Sequence, residues 1–429
     1  MMRRFPLLLL TFLLAAAALP AAASAAGRGQ CLLRAAGPQC YTWTGKVTFV
    51  ADADTIYVDV DGDGTRRGLP VRITGINATE LTTYSSRAAR RRGECHAVEA
   101  TARLEQLLKP AKYKVRVLAQ DPASRSGRRL RRAIAVKVKG RWVDVGRTLV
   151  GEGHAVWLPN RREYAWNRDY SVLQGRAARA QLNLWDTDYC GFGPNEAHPI
   201  EMVVNWDADG NDSFDPNGEW VRIKNPDPVN PLPLGGWWMR DSALQRITFP
   251  SWAQIPPGGH ITVYAGIGDD TESEFYWGRR GPLFENVTRD ERLVGDGAYL
   301  FDPQGDLRAS MFYPCRVDCT DPNAGALRLY ASPRGREVVR VVNEGPVPID
   351  LERYRMVSPP YGYAFDPGSV VGPGETMRVR IYEPTGDEGP LTRYWTPGKR
   401  ILNNGGDIVQ LRRFDDVIVA CTSWGSRSC

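Results

Sequence analysis

The sequence predicts a mainly β protein built from several domains, and three observations support this. The chain has 429 residues, which is more than one domain usually holds, so two or three domains are expected. Apolar residues alternate over 47–60 and 69–76, on either side of the turn residues Asp61-Gly-Asp-Gly64, as in a long β-hairpin. A strand-rich pattern also occurs twice in the second half, which indicates an internal repeat.

The N-terminus has the composition of a secretory signal peptide. Two arginines precede an apolar run from Phe5 to Leu19, and Ala23-Ser-Ala25 follows as a small-residue cleavage site. We therefore expect residues 1–25 to be removed, and residues 26–41 to form a short leader closed by Cys31 and Cys40. No later apolar run reaches membrane-spanning length, so a secreted protein without a membrane span is expected.

Charge is distributed unevenly along the chain. Residues 41–195 hold 27 Lys and Arg against 16 Asp and Glu, whereas residues 196–429 hold 24 against 33. The front half is therefore suited to a polyanion such as DNA or RNA, and the rear half is not. The eight cysteines all follow Ala25, and an even number in an exported chain favours disulfides over zinc.

Polar residues cluster at the ends of the predicted hairpin strands. One strand carries two carboxylates and a hydroxyl, and the next carries an arginine, an amide and a carboxylate: Asp52, Asp54 and Thr55, then Arg72, Asn77 and Glu80. Oxygen ligands beside a guanidinium suit a hard cation next to a phosphate. Taken one at a time, the same residues also fit a barrel with solvated turn acids and a basic face.

At these residues the chain resembles the thermonuclease (staphylococcal-nuclease-like) family. The family's Asp-Gly-Asp-Thr signature corresponds to Asp52-Ala-Asp-Thr55, and the family's spacing from arginine to glutamate is kept from Arg72 to Glu80. The resemblance covers about residues 42–195. It implies an OB-type five-stranded barrel with three helices, and Ca²⁺-dependent hydrolysis of phosphodiester bonds in DNA or RNA.

The resemblance also implies roles for individual residues. Asp54, Asn77 and the carbonyl of Ala78 would ligate Ca²⁺, and Glu80 would be the general base. Arg72 and one loop arginine would clamp the phosphate, with Asp52 and Thr55 supporting the site. Gly127 before Arg128 favours that arginine, whereas gapless counting back from Val143 favours Arg131. The remaining basic residues would bind phosphates along the nucleic acid: Arg90, Arg91, Arg92 and Arg129.

Asn77 departs from the family pattern, which has an acidic ligand there, and this predicts weaker Ca²⁺ binding. The helices implied by the resemblance lie over 94–108, near 143–153 and before Trp185. Since Cys95 begins the first helix and Cys190 follows the last, we expect these two to pair. Cys31 and Cys40 would pair locally. Three pairings stay open for the others, which are Cys315, Cys319, Cys421 and Cys429.

The internal repeat indicates two related β domains, 200–319 and 326–429. Glu219-Trp-Val-Arg-Ile-Lys-Asn225 matches Glu337-Val-Val-Arg-Val-Val-Asn343, and Trp237 and Met239 match Tyr354 and Met356. Short alternating strands between Gly, Pro and Asn turns are typical of an Ig-like β-sandwich. The first copy resembles the lamin-tail domain, and the second is a divergent copy. Neither contains a recurring nucleophile–base pair, so a cell-surface or protein partner is expected, with folding independent of the barrel.

Two acidic loops resemble calcium loops: 59–64 and 207–212. Both lack the glutamate that closes an EF-hand loop, so a hairpin turn is expected for the first and calcium stays an alternative for the second. The four histidines have no metal spacing and are expected at the surface or as caps. For the whole chain we expect a secreted Ca²⁺-dependent nuclease. The alternative is a catalytically weak or inactive protein that binds nucleic acid or a surface.

Overall fold

A computed structural model describes residues 27–33, 37–81, 93–187, 190, 198–287, 292, 294–382 and 389–429. The predicted signal peptide and the arginines Arg90, Arg91 and Arg92 lie outside these ranges. Residues 191–198, whose composition predicts a linker, also lie outside them except for His198. Within them, no helix is both long enough and apolar enough to cross a membrane.

The first part of the chain is a closed five-stranded barrel. Strand order β2–β3–β4–β8–β6 closes because β6 also pairs with β2. The strands are β1 (Gly27–Gln30), β2 (Gln39–Val50), β3 (Thr55–Val60), β4 (Leu69–Ile73), β5 (Ile76–Asn77), β6 (Lys114–Ala119), β7 (Arg125–Ser126), β8 (Arg129–Val138), β9 (Arg141–Asp144) and β10 (Val156–Trp157). Alternate residues such as Ile56 and Val58 point inward and are fully buried. The predicted five-stranded barrel is therefore confirmed.

Three helices cover the barrel, as predicted: α1 (Ala97–Leu108), α2 (Val145–Gly151) and α3 (Asn167–Arg179). Helix α1 buries Ala100, Leu104 and Leu108 at helical spacing. The predicted leader is not separate from the barrel, because β1 pairs with β2 and Cys31 and Cys40 belong to the barrel core. Strand β2 already begins at Gln39, and the Cys31–Cys40 disulfide links it to the residue that follows β1.

The second part contains two four-stranded sheets, β11–β12–β17–β18 and β15–β14–β19–β20, and a small β13–β16 pair. Its strands are β11 (Glu201–Asn205), β12 (Trp220–Lys224), β13 (Leu232–Pro233), β14 (Trp238–Asp241), β15 (Arg246–Thr248), β16 (Gln254–Ile255), β17 (His260–Tyr264), β18 (Glu274–Tyr276), β19 (Gly297–Phe301) and β20 (Leu307–Phe312). Residues from both large sheets, such as Val221 and Met239, share one hydrophobic cluster. This packing is Ig-like.

The third part repeats this strand order, with sheets β21–β22–β27–β28 and β25–β24–β29–β30 and a β23–β26 pair. Its strands are β21 (Leu327–Ser332), β22 (Val338–Asn343), β23 (Ile349–Asp350), β24 (Tyr354–Ser358), β25 (Tyr361–Ala364), β26 (Val370–Val371), β27 (Thr376–Ile381), β28 (Thr392–Trp395), β29 (Asp407–Arg413) and β30 (Ile418–Trp424). The fourth strand of one sheet runs parallel to its neighbour in both parts.

Residues at equivalent positions of the two repeats make similar hydrogen bonds. Buried Glu219 accepts backbone hydrogen bonds from Leu283 and Phe284, and buried Glu337 accepts one from Ile401. The side-chain amide of Asn225 donates to the backbone carbonyls of Asn230, Ile255 and Pro256. The side-chain amide of Asn343 likewise donates to the backbone carbonyls of Val347 and Val371. The glutamate and asparagine shared by the two copies therefore form hydrogen bonds with backbone N–H and C=O groups of buried turns. Such groups would be costly if they were left without partners.

The three parts share buried contacts, which the sequence patterns did not indicate. Barrel residues Ala177, Leu184 and Trp185 form an apolar cluster with Tyr299 and other residues of β14, β19 and β20. The side-chain amide of Gln174 in α3 also donates to the Tyr299 hydroxyl at 3.0 Å, in a buried position. Sequence patterns missed this interface because residues facing a neighbouring domain have the same apolar character as core residues.

The disulfides agree with the predicted pairs. Cys31–Cys40 and Cys95–Cys190 both form, and the open question among the last four is resolved as Cys315–Cys319 and Cys421–Cys429. Cys95 and Cys190 also contact the second part, since Cys95 N–H donates to the Gln304 carbonyl and Cys190 N–H donates to Asp306. The disulfide therefore lies at the junction between the barrel and the lamin-tail-like region.

Candidate functional site

Asp54 is the centre of the polar cluster on the barrel. It follows the turn that leads into β3, is 1% exposed, and forms an ion pair with Arg72 at 2.6 Å from Nη1 to Oδ1. Arg72 faces Asp54 because β4 pairs with β3 in the register Thr55 to Arg72. Oδ2 of Asp54 accepts the Ala78 N–H at 2.8 Å and lies 3.4 Å from the side-chain amide nitrogen of Asn77.

The carboxylates of Asp52, Asp54 and Glu80 interact electrostatically here. Burial, followed by the charge of Asp54, raises the pKa of Asp52 well above its usual range. Partial desolvation and the charge of Asp54 also raise the pKa of Glu80, although the side chain of Glu80 reaches solvent. Two hydrogen bonds connect Glu80 and Glu94: the Glu80 N–H donates to the Glu94 carboxylate, and the Glu94 N–H donates to the Glu80 carbonyl.

Arginines from β8 complete the cluster. Arg129 Nη1 donates to Thr55 Oγ1 at 2.8 Å, and Arg131 lies beside Arg72 in the parallel β4–β8 register. Burial and then the charge of Arg72 lower the pKa of Arg131, with a smaller effect from Arg129. Arg128 stands exposed at the tip of the β7–β8 hairpin. The geometry thus brings Arg129 and Arg131 to the site and leaves Arg128 at its edge.

Arg72 is arranged to receive an anion. Its Nη2 is buried and has no hydrogen-bond partner in the part of the chain that the structure describes, while Nη1 is held by Asp54. A buried guanidinium N–H without a partner is costly, and a phosphate oxygen would satisfy it. The nearby Arg129 and Arg131 add positive potential at the same place.

The donor set also fits a hard cation. Burial, followed by the charge of Asp54, raises the pKa values of Asp52 and Glu80, and a cation would offset the repulsion from Asp54. The oxygens of Asn77 and Ala78 belong to the same segment. As folded, however, both oxygens of Asp54 accept hydrogen bonds from protein donors, and Asn77 turns its nitrogen toward Asp54. An ion on Asp54 would therefore have to replace the Asn77 donor.

The acidic loops have other roles. Residues 61–64 form the β3–β4 turn, in which Asp61 accepts from Thr44 and Asp63 from the Thr65 N–H. In the second loop, Asp207 pairs with Arg355 at 2.6 Å, and Asp209 accepts from Trp395 at 3.0 Å. Asp207 and Asp209 thus join the second part to the third, whereas Asp212 accepts from Ala208 and Asn286 within the second part.

Sequence reasoning missed a histidine pair beside the site. His96 precedes α1 and is 2% exposed, and its Nε2 lies 2.8 Å from Nδ1 of His154. Burial and the neighbouring His154 lower the pKa of His96 to about 4. Of the expected surface or cap positions, His96 takes the N-cap position of α1, but it is buried and its side chain makes no capping hydrogen bond. Two histidines 58 residues apart give no local sequence signal of their contact.

A cavity of about 690 Å³ lies elsewhere, where the three parts meet, with Arg179, Arg222 and Tyr354 in its lining. The Asp54 cluster does not line this cavity. Its residues on and beside β3 and β4 are mostly buried, and Glu80 reaches solvent.

Comparison with known families gives one match. The lamin tail domain model matches residues 200–314, so this part of the chain is a lamin tail domain, as the resemblance of the first copy implied. No thermonuclease model matches the barrel. Among curated proteins, none matches the chain.

Proposed function

We propose that the barrel is the catalytic domain of a secreted Ca²⁺-dependent nuclease that hydrolyses phosphodiester bonds of DNA or RNA. The observation that carries the proposal is the buried Arg72, which is held by Asp54 and keeps one N–H without a partner, next to Asp52 and Glu80. A cation site and an anion site side by side are what phosphodiester hydrolysis requires. Four disulfides are consistent with an extracellular setting.

Each residue has a defined part in this proposal. Arg72 and Arg129 bind the phosphate and offset the charge that develops on its oxygens. Glu80 accepts a proton from the attacking water, and its raised pKa brings its basicity closer to neutral pH. Asp54, Asn77 and Ala78 would hold Ca²⁺, which supplies Lewis-acid stabilisation of the phosphate when bound.

Replacement of Glu80 by Gln tests the proposal. The change keeps shape and hydrogen bonding but removes the base, so cleavage of plasmid DNA and of RNA in Ca²⁺ should fall roughly a hundredfold or more. Glu99→Gln is the matched control, because Glu99 is an exposed carboxylate on α1 of the same domain. Wild-type protein that binds DNA but cuts neither substrate with any divalent ion would contradict the proposal.

A second candidate function is nucleic-acid binding without hydrolysis. It is favoured by Asn77, whose amide nitrogen faces Asp54 while both Asp54 oxygens accept hydrogen bonds. The basic cluster serves binding and cleavage equally, so the cleavage assay separates the two.

We further propose that residues 326–429 are a second, divergent lamin-tail-like β-sandwich. Its support is the matched strand order and the matched buried residues Glu219 with Glu337 and Asn225 with Asn343. The two domains would hold a cell-surface or protein partner and add no chemistry.

A further inference from the structure

Two aromatic side chains are exposed side by side on the barrel, on the strands that lead to the Asp54 cluster. Phe49 on β2 is 54% exposed and Tyr57 on β3 is 37% exposed, and their ring centroids are 5.7 Å apart. Single exposed apolar residues are common, but two adjacent aromatic rings on a sheet carry a cost in water that calls for an explanation.

A β-bulge creates this pair. Val47 pairs with Val58, but the next pair is Phe49 with Tyr57, so Thr48 is the extra residue on β2. Without the bulge, Thr48 would lie opposite Tyr57 and Phe49 opposite the buried Ile56, which would turn the Phe49 ring toward the barrel core. The bulge therefore re-aims Phe49 outward, which is a common role of bulges beside active sites.

The pair lies on the same face as the proposed phosphate site. Thr55 and Tyr57 are two residues apart on β3, so their side chains project from one face at a separation of roughly 7 Å. Thr55 is the residue that accepts the hydrogen bond from Arg129, and it lies opposite Arg72. The Tyr57 side chain is therefore roughly 7 Å from Thr55, beside which Arg72 and Arg129 would hold a phosphate.

The surroundings leave the rings accessible and indicate where a bound strand would run. A side chain at Gly68 would come within 2.3 Å of Thr48 Oγ1 and 3.1 Å of the Tyr57 Cβ, so glycine there avoids crowding this part of the face. Beyond Tyr57 the strand continues to Asp59 and to a turn in which Asp61 and Asp63 are balanced by Arg66 and Arg67, so this turn offers no net positive charge to a phosphate. The favourable path therefore extends from Arg129 to Phe49 and ends before the turn.

We propose that Phe49 and Tyr57 form a stacking platform for an unpaired nucleobase of a strand whose phosphate is bound at Arg72 and Arg129. This rests on the proposed nucleic-acid function of the barrel and adds a substrate class, namely single-stranded DNA or RNA. In a duplex the base faces are already stacked on one another, so only an unpaired base can use the rings.

Binding without cleavage tests the platform. The full chain is titrated in EDTA with a labelled oligothymidylate, with an abasic oligonucleotide of equal length, and with a duplex. Wild-type protein should bind oligothymidylate most tightly, since a stacked base typically contributes roughly five- to hundredfold in Kd. Phe49→Ala should lose that factor for oligothymidylate and bind the abasic strand unchanged, whereas Phe49→Tyr should retain it.

The control variant is Phe214→Ala, which removes an 87% exposed phenylalanine in the lamin tail domain and should change none of these affinities. Equal affinity of wild-type protein for the base-containing and abasic strands, or no binding of either, would overturn the platform. Base-dependent binding that is lost in Phe49→Ala supports the platform. If the wild-type protein shows this binding but cleaves nothing, only the nuclease proposal is contradicted.

Discussion

Asn77 places an amide where a carboxylate would complete the cation site. Its nitrogen lies 3.4 Å from Asp54, so Asn77→Asp would add a negative charge beside Asp52, Asp54 and Glu80. We expect this variant to unfold at a lower temperature in EDTA, because of like-charge repulsion, and to gain more from Ca²⁺ than wild-type protein. Thermal unfolding with and without Ca²⁺ measures both effects, and the exposed Asn404→Asp serves as control. An identical Ca²⁺ response in both proteins would show that Asn77 is not a ligand.

Glu219 gives the lamin tail domain a pH dependence. Burial raises its pKa to about 8, despite the N–H donors of Leu283 and Phe284. A carboxyl group whose folded pKa is raised favours folding when protonated, so stability should fall as pH rises from about 4.5 to 8. Glu219→Gln should flatten this part of the profile, as thermal unfolding at pH 5, 7 and 9 would measure. An unchanged slope would mean that other groups cause it.

Residue spacing alone was enough to predict which side chains meet at the site. Asp52, Asp54, Arg72 and Glu80 lie together as the hairpin pattern indicated, because an antiparallel pair with a short turn fixes its own register. The histidine contact could not be foreseen, since His96 and His154 lie on segments that only the packing of α1 against α2 brings together.

At the scale of elements, the β7–β8 hairpin decides which arginine enters the site. Gly127 occupies the turn with φ 56°, and strand alternation then directs Arg129 toward Thr55, with Arg128 left at the tip. Gly127 favoured Arg128, which the hairpin leaves exposed, whereas gapless counting favoured Arg131, which does lie beside Arg72. Neither argument could show that the short hairpin also directs Arg129 to the site. The β-bulge at Thr48 likewise could not be predicted from residue spacing along the sequence.

We therefore expect two neighbouring arginines to differ in effect. Arg129→Ala should lower the cleavage rate with a modest loss of binding, because Arg129 reaches the cluster. Arg128→Ala should weaken binding and reduce its salt dependence with little change in the rate of bound substrate. Rates at saturating DNA and affinities at several salt concentrations separate the two. The reverse pattern would identify Arg128 as the residue at the phosphate.

At the scale of the whole molecule, the barrel depends on its neighbour. Leu184 and Trp185 are buried against the lamin tail domain. A fragment ending near residue 193 would lack this domain, so these two side chains would be uncovered. We expect that fragment to unfold at a lower temperature than the full chain and to associate through the uncovered apolar surface. Calorimetry and light scattering measure these properties. A monomeric fragment with the unfolding temperature of the full chain would show that the interface contributes nothing to the barrel.

The joined parts also make the protein an electric dipole, with an excess of positive charge over 41–195 and of negative charge over 196–429. Buried contacts such as Gln174 with Tyr299 hold these opposite charges apart at fixed positions. A polyanion approaching from solution is therefore repelled by one end and attracted by the other, so the molecule turns before contact is made. Under the proposed function, the negatively charged domains would in this way raise the fraction of collisions in which DNA or RNA meets the barrel first.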